Sequence, residues 1–97
     1  MNNIKDKYFI ALADYIKQSI DLKEIDVADL AAAANVDRKQ IYRLINKENI
    51  PRLSTLIKII LAAGIEPSVL FAIDFDYEMY MKENNILKAT IKNRKKF

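Results

Sequence analysis

Residues Asp26–Asn46 read DVADLAAAANVDRKQIYRLIN. Asp26 is a good N-cap, and Asp29 three residues later approaches a capping box, although Glu or Gln suits that place better. A helix is expected from Val27 to Ala34, with Leu30 and Ala31 turned inward. The run Ala31–Ala34 forms helix strongly, and its small side chains let a second helix approach closely. Asn35 then suits the left-handed residue that stops a helix. Asp37 caps a further helix over Arg38–Asn46, with Ile41, Leu44 and Ile45 toward the core. Arg38, Lys39, Tyr42 and Arg43 are left facing outward.

Two short helices joined by about three residues cannot lie antiparallel and must cross steeply, the helix-turn-helix arrangement. Upstream, Ile4, Tyr8, Phe9, Leu12, Ile16 and Ile20 make one stripe of an amphipathic helix that ends near Asp21. Downstream, Lys47–Arg52 is a loop containing Pro51. A fourth helix opens at Leu53 or Ser54 and runs to Ala63, with Leu56, Ile57, Ile60 and Leu61 as its buried face. Gly64, the only glycine, stands at its stop, and Pro67 opens a short fifth helix through Phe71. The fold class is therefore all-α, with five helices, an extended first helix and a C-terminal extension. Residues 1–73 form the domain, with 26–46 at its centre, and 74–97 form the extension. In the extension Tyr77, Tyr80, Asn84, Leu87 and Ile91 keep helical spacing. A hairpin pairing Tyr77–Lys82 with Ile86–Lys92 is the alternative. The stripe of Tyr77, Tyr80, Met81 and Leu87 is either internal packing or the face of a homodimer. Lys92–Lys96 is a basic tail.

Composition removes whole classes of function. Among 97 residues there is no Cys and no His, which excludes thiol chemistry, disulfides, imidazole acid–base catalysis and an ordinary zinc site. One glycine leaves no Gly-rich phosphate cradle. No nucleophile–base pair can be assembled, so an enzyme is not expected and no cofactor is implied. The longest nearly apolar run, Ile59–Ile65, is far short of a membrane span, and no signal-peptide core precedes it. A cytoplasmic protein with no membrane partner is expected.

The net charge of +3 is weakly informative until it is divided. Residues 37–58 hold six cations (Arg38, Lys39, Arg43, Lys47, Arg52 and Lys58) against two anions, Asp37 and Glu48. Residues 1–36 hold four cations against six anions. Positive charge thus gathers on the third helix, its following loop and the start of the fourth, the electrostatic footprint of a nucleic-acid partner.

Over the 46 residues Asp26–Phe71 the chain resembles the Cro and phage-repressor (XRE-type) helix-turn-helix family. The landmarks are Leu30-Ala31, Val36, Ile41, Leu44, Pro51, Leu56, Gly64 and Leu70-Phe71. The stretches Ile41–Leu44 and Asn49–Leu56 look most like antitoxins of the HigA kind and small bacterial regulators. The resemblance implies a lambda-repressor-like DNA-binding domain and sequence-specific binding of double-stranded DNA by a homodimer. Repression or autoregulation by operator occupancy would follow. In the antitoxin alternative, a toxin protein is bound as well. By family position, Arg38, Lys39 and Arg43 would reach base edges, with Gln40 and Tyr42 flanking them. Arg and Lys pair best with guanine, so guanines are expected in the half-sites. Asn46, Lys47 and Arg52 would meet the backbone.

Four positions depart from the family. Val27 stands where a Gln normally meets phosphate. Ile20 and Ile45 occupy the places of a common Arg–Glu pair, a coupled exchange of an ion pair for a hydrophobic contact. Lys47 replaces a frequent Gly, so an altered loop geometry is expected there.

Overall fold

A computed structural model of the chain describes residues 3–90. The basic tail and Ile91 lie outside the described residues. Six helices follow one another: α1 (Lys7–Leu22), α2 (Val27–Ala34), α3 (Arg38–Ile45), α4 (Leu53–Ala62), α5 (Pro67–Leu70) and α6 (Tyr77–Glu83). No strand occurs among the described residues. In the extension, the helical alternative holds over α6 and the hairpin is not formed there.

One core joins α1 to α5. Leu12, Ala13, Ile16 and Ile20 of α1 meet Leu30, Ala31 and Ala34 of α2, Ile41 and Leu44 of α3, and Leu56, Ile59 and Ile60 of α4. Ala63, Ile65 and Leu70 close it. Each fully buried Leu or Ile contributes about 1.5–3 kcal/mol relative to exposure. The alanines of α2 do what their size allows, since α2 packs against both α3 and α4. Ile20 is buried and Ile45 half-buried against this same core. On α4 the sequence expectation needs correction. Leu61 is 57% exposed, and the inner positions are Leu56, Ile59, Ile60 and Ala63. An i, i+3, i+4, i+7 stripe fixes that face, and Leu61 falls outside it. The first helix also starts later than its stripe suggests. Asp6 is the N-cap, accepting from the amides of Tyr8 (2.9 Å) and Phe9 (3.2 Å), and Ile4 lies before the helix.

All the helices but α5 end in one shared way. Glu24, Asn35, Lys47, Gly64 and Asn85 all have positive φ, between 54° and 77°. After each, the next residue donates back to a carbonyl five positions earlier: Ile25 to Ile20, Val36 to Ala31, Glu48 to Arg43, Ile65 to Ile60 and Ile86 to Met81. These are Schellman stops, in which the left-handed residue frees the chain to satisfy orphaned carbonyls. Only one of the five is glycine, so four L side chains occupy a conformation that costs roughly 1–2 kcal/mol. Lys47 therefore adopts the left-handed geometry that glycine takes most readily.

At α4 the Lys23 ammonium adds a second cap, donating to the carbonyls of Ala63 (2.8 Å) and Gly64 (3.2 Å). A Cβ on Gly64 would stand 3.1 Å from that nitrogen. Gly64→Ala is expected to lower unfolding free energy by about 1–2 kcal/mol, and Glu24→Gly to raise it by about 0.5–1 kcal/mol. Urea titration of the two variants checks both signs.

The extension folds back on the beginning of α1. The Tyr8 ring meets Phe75 (5.0 Å between centroids), Tyr77 (5.6 Å) and Tyr80 (6.2 Å), mostly edge to face. The Tyr80 hydroxyl donates to Asp6 at 2.6 Å, and Lys7 pairs with Glu83 at 2.9 Å. Burial, helped by the Tyr77 hydroxyl, pushes the Tyr8 phenol up to about 12. Tyr77 and Tyr80 thus take the internal-packing alternative, whereas Leu87, 89% exposed, does not join them. The helical spacing that runs on to Ile91 is cut at Asn85 by its Schellman stop.

Candidate nucleic-acid interface

The helix α3 carries the candidate contacts on the face opposite its core side chains. Asp37 starts it, its carboxylate accepting from the Lys39 amide at 2.9 Å. Ile41 and Leu44 are buried, which fixes the helix rotation and turns Arg38, Lys39, Tyr42 and Arg43 to the surface. Among the described residues none of Arg38, Lys39, Arg43 and Arg52 is ion-paired. Tyr42, on the same outward face of the helix, is 49% exposed. Gln40 is half-buried at the margin of the face.

The α3 C-terminus is fixed tightly. The Arg43 carbonyl accepts from both Glu48 (2.8 Å) and Asn49 (3.2 Å), so the loop is tied to the helix that carries Arg43. Asn46, the C-cap, is exposed at the helix end. Arg52 holds the N-cap position of α4 without a side-chain cap bond, leaving its guanidinium exposed between the two helices. Buried Pro51 anchors the loop just before it.

Lys47 is placed differently from its neighbours. Its ammonium pairs with Asp14 of α1 at 2.7 Å, and its carbonyl accepts from the Ile4 amide at 2.7 Å. Sequence reasoning missed both partners. They lie far apart along the chain, and no local pattern links them. The start of α2 is also closed to one expected contact. Val27 packs against the core, and Asp26 turns its carboxylate to the Asp29 amide at 3.2 Å.

The surface therefore combines four free cations, an exposed aromatic ring and a rigid two-helix frame. Such a face can neutralise phosphates and present guanidiniums to guanine edges in a major groove, which admits one α-helix. A family model described as helix-turn-helix matches residues 16–70. Two solved structures of mutants of the restriction-modification controller protein C.Esp1396I are similar in fold. One shares 22% identity over 88% of this chain and 96% of its own, with a TM-score of 0.62. The other shares 23% identity over 80% of this chain and 96% of its own, with a TM-score of 0.61. No curated protein matches the chain.

Proposed function

Because the chain belongs to the helix-turn-helix family and is a DNA-binding transcriptional regulator, we propose that it represses transcription by occupying an operator. The observation that carries this is the α3 face, where Arg38, Lys39 and Arg43 are exposed while Ile41 and Leu44 of the same helix lock it to the core. Arg38, Lys39 and Arg43 read base edges, with Gln40 and Tyr42 at the margins of the contact. Asn46, Arg52 and Lys47 line the backbone side. Control of its own operon is one such circuit.

The active species is a homodimer, since a recognition helix reads only a few base pairs and a two-fold pair doubles the site. Apolar side chains left exposed on α4 and α5, namely Leu61 and Val69, together with Phe71 beyond them, support self-association. It acts on DNA in the cytoplasm. Among the described residues no helix is long and apolar enough to cross a membrane.

Selection of bound sequences from a random duplex pool tests the proposal. The expected product is a two-fold site with guanines in each half, bound more weakly as salt rises. Arg52→Ala is expected to weaken binding alike on all sequences and to reduce the log–log salt slope by about 1. A pool that yields no shared sequence, bound with no salt dependence, would overturn it.

A further inference from the structure

We propose that Asp14 sets the DNA affinity of this surface by withholding the Lys47 ammonium from phosphate, an inference that rests on the DNA-binding reading above. Five cations belong to the α3 face and the loop behind it: Arg38, Lys39, Arg43, Lys47 and Arg52. Lys47 alone of these is ion-paired among the described residues, at 2.7 Å from an oxygen of Asp14.

The backbone holds Lys47 in place. Lys47 has φ of 59°, and its amide donates to the Leu44 carbonyl at 3.0 Å. Its carbonyl accepts from Ile4, so the peptide units on both sides are fixed. Only the side chain can swing. The ammonium thus has two alternative anions, the Asp14 carboxylate within the chain and a phosphate outside it. Both side chains of the pair are about two-fifths exposed, at 41% and 43%. The internal bond is therefore weak enough to be exchanged and strong enough to compete, as exposed ion pairs generally are. Asp14 sits on α1, outside the helix-turn-helix proper, so affinity can be adjusted there without altering which bases α3 meets.

A double-mutant cycle on the full chain tests this, with Asp14→Asn, Lys47→Met and both together. The probe is a fluorescently labelled duplex of mixed sequence, because phosphate contact needs no particular site. Asp14→Asn is expected to tighten binding about two- to fivefold by freeing an exposed pair. It also steepens the log–log salt slope by about 0.9, the increment of one added phosphate contact. Lys47→Met gives up whatever share of that contact the parent makes, so its slope is no steeper than the parent's, and the double variant behaves as Lys47→Met does. Thermal melting of each variant confirms an unchanged fold. The inference is overturned if Asp14→Asn tightens binding equally in the Lys47→Met background, since Asp14 then acts only as a remote charge. It is overturned too if Asp14→Asn weakens binding or leaves the slope unchanged, since Asp14 then orients Lys47 toward DNA or has no part. Salt-sensitive binding by all four proteins without coupling sinks this inference alone. Absence of binding by all four sinks the DNA-binding reading along with it.

Discussion

Replacing both Arg38 and Arg43 by alanine is expected to erase sequence preference while leaving the domain folded. A guanidinium bidentate to guanine is worth about 1–3 kcal/mol of discrimination, so two acting independently amount to about 2–6 kcal/mol. At tenfold for every 1.4 kcal/mol, affinity for the selected site falls by roughly 30-fold to 10⁴-fold. Affinity for mixed-sequence DNA falls much less, because the remaining cations still meet phosphate. Neither side chain is buried, and among the described residues neither is ion-paired. Alanine is the best helix former, so the thermal midpoint is expected to hold. Anisotropy titrations on the selected duplex and on a scrambled one, at a single salt concentration, give the ratio that decides. A ratio unchanged in the double variant would show that α3 is not the reading helix.

That expectation was legible from residues 26–46 because the physics there is local. Asp26 and Asp37 carry caps that need only the amides two or three residues ahead, and both accept those bonds. Asn35 needs only its own tolerance of positive φ, and it adopts φ of 57°. Between these markers the spacing of Leu30, Ile41 and Leu44 fixes which side chains are left outside.

The same local rule reaches beyond residues 26–46. A left-handed stop is commonly followed by an apolar residue that folds back on the helix, and Ile25, Val36, Ile65 and Ile86 all follow one. Asn85-Ile86 carries that signal nearly as plainly as Gly64-Ile65, whereas glutamate is a poor left-handed residue and hides it at Glu24-Ile25. Helical spacing also misleads when a stop interrupts it. Leu87 keeps the period of Tyr77 and Tyr80, yet Asn85 has already ended the helix. The long-range polar contacts had no sequence signal at all. Tyr80 meets Asp6, Lys23 meets Ala63 and Lys47 meets Asp14 only because the core brings distant helix ends together. Lys47 shows the consequence for the site. Its charge was legible, but its partner, which decides whether that charge is free, depended on where α1 packs.

Truncating Ile41 separates the scaffold from the surface it presents. Its side chain is 0% exposed, on the same short helix as Arg38 and Arg43. Ile41→Ala removes three carbons from a core in which Ile16, Ile59 and Ile60 are also fully enclosed. The surrounding helices relax only partly, so transfer and cavity losses add to about 2–5 kcal/mol. Domains are stable by only about 5–15 kcal/mol, and a short chain lies toward the lower end. The variant is therefore expected to melt well below the parent, or to be largely unfolded at physiological temperature. Its DNA affinity should follow the folded fraction. At a temperature where calorimetry shows it folded, sequence preference is retained, because the exposed arginines are unchanged. Ile41→Val, which removes a single carbon, should cost about 0.5–1.5 kcal/mol and fall between the two. The opposite pattern, with Ile41→Ala stable but unselective, would mean that α3 is not held by the core and that its outward face is not fixed. The two substitution sets thus divide α3 between an inner face that determines whether it exists and an outer face that determines what it reads.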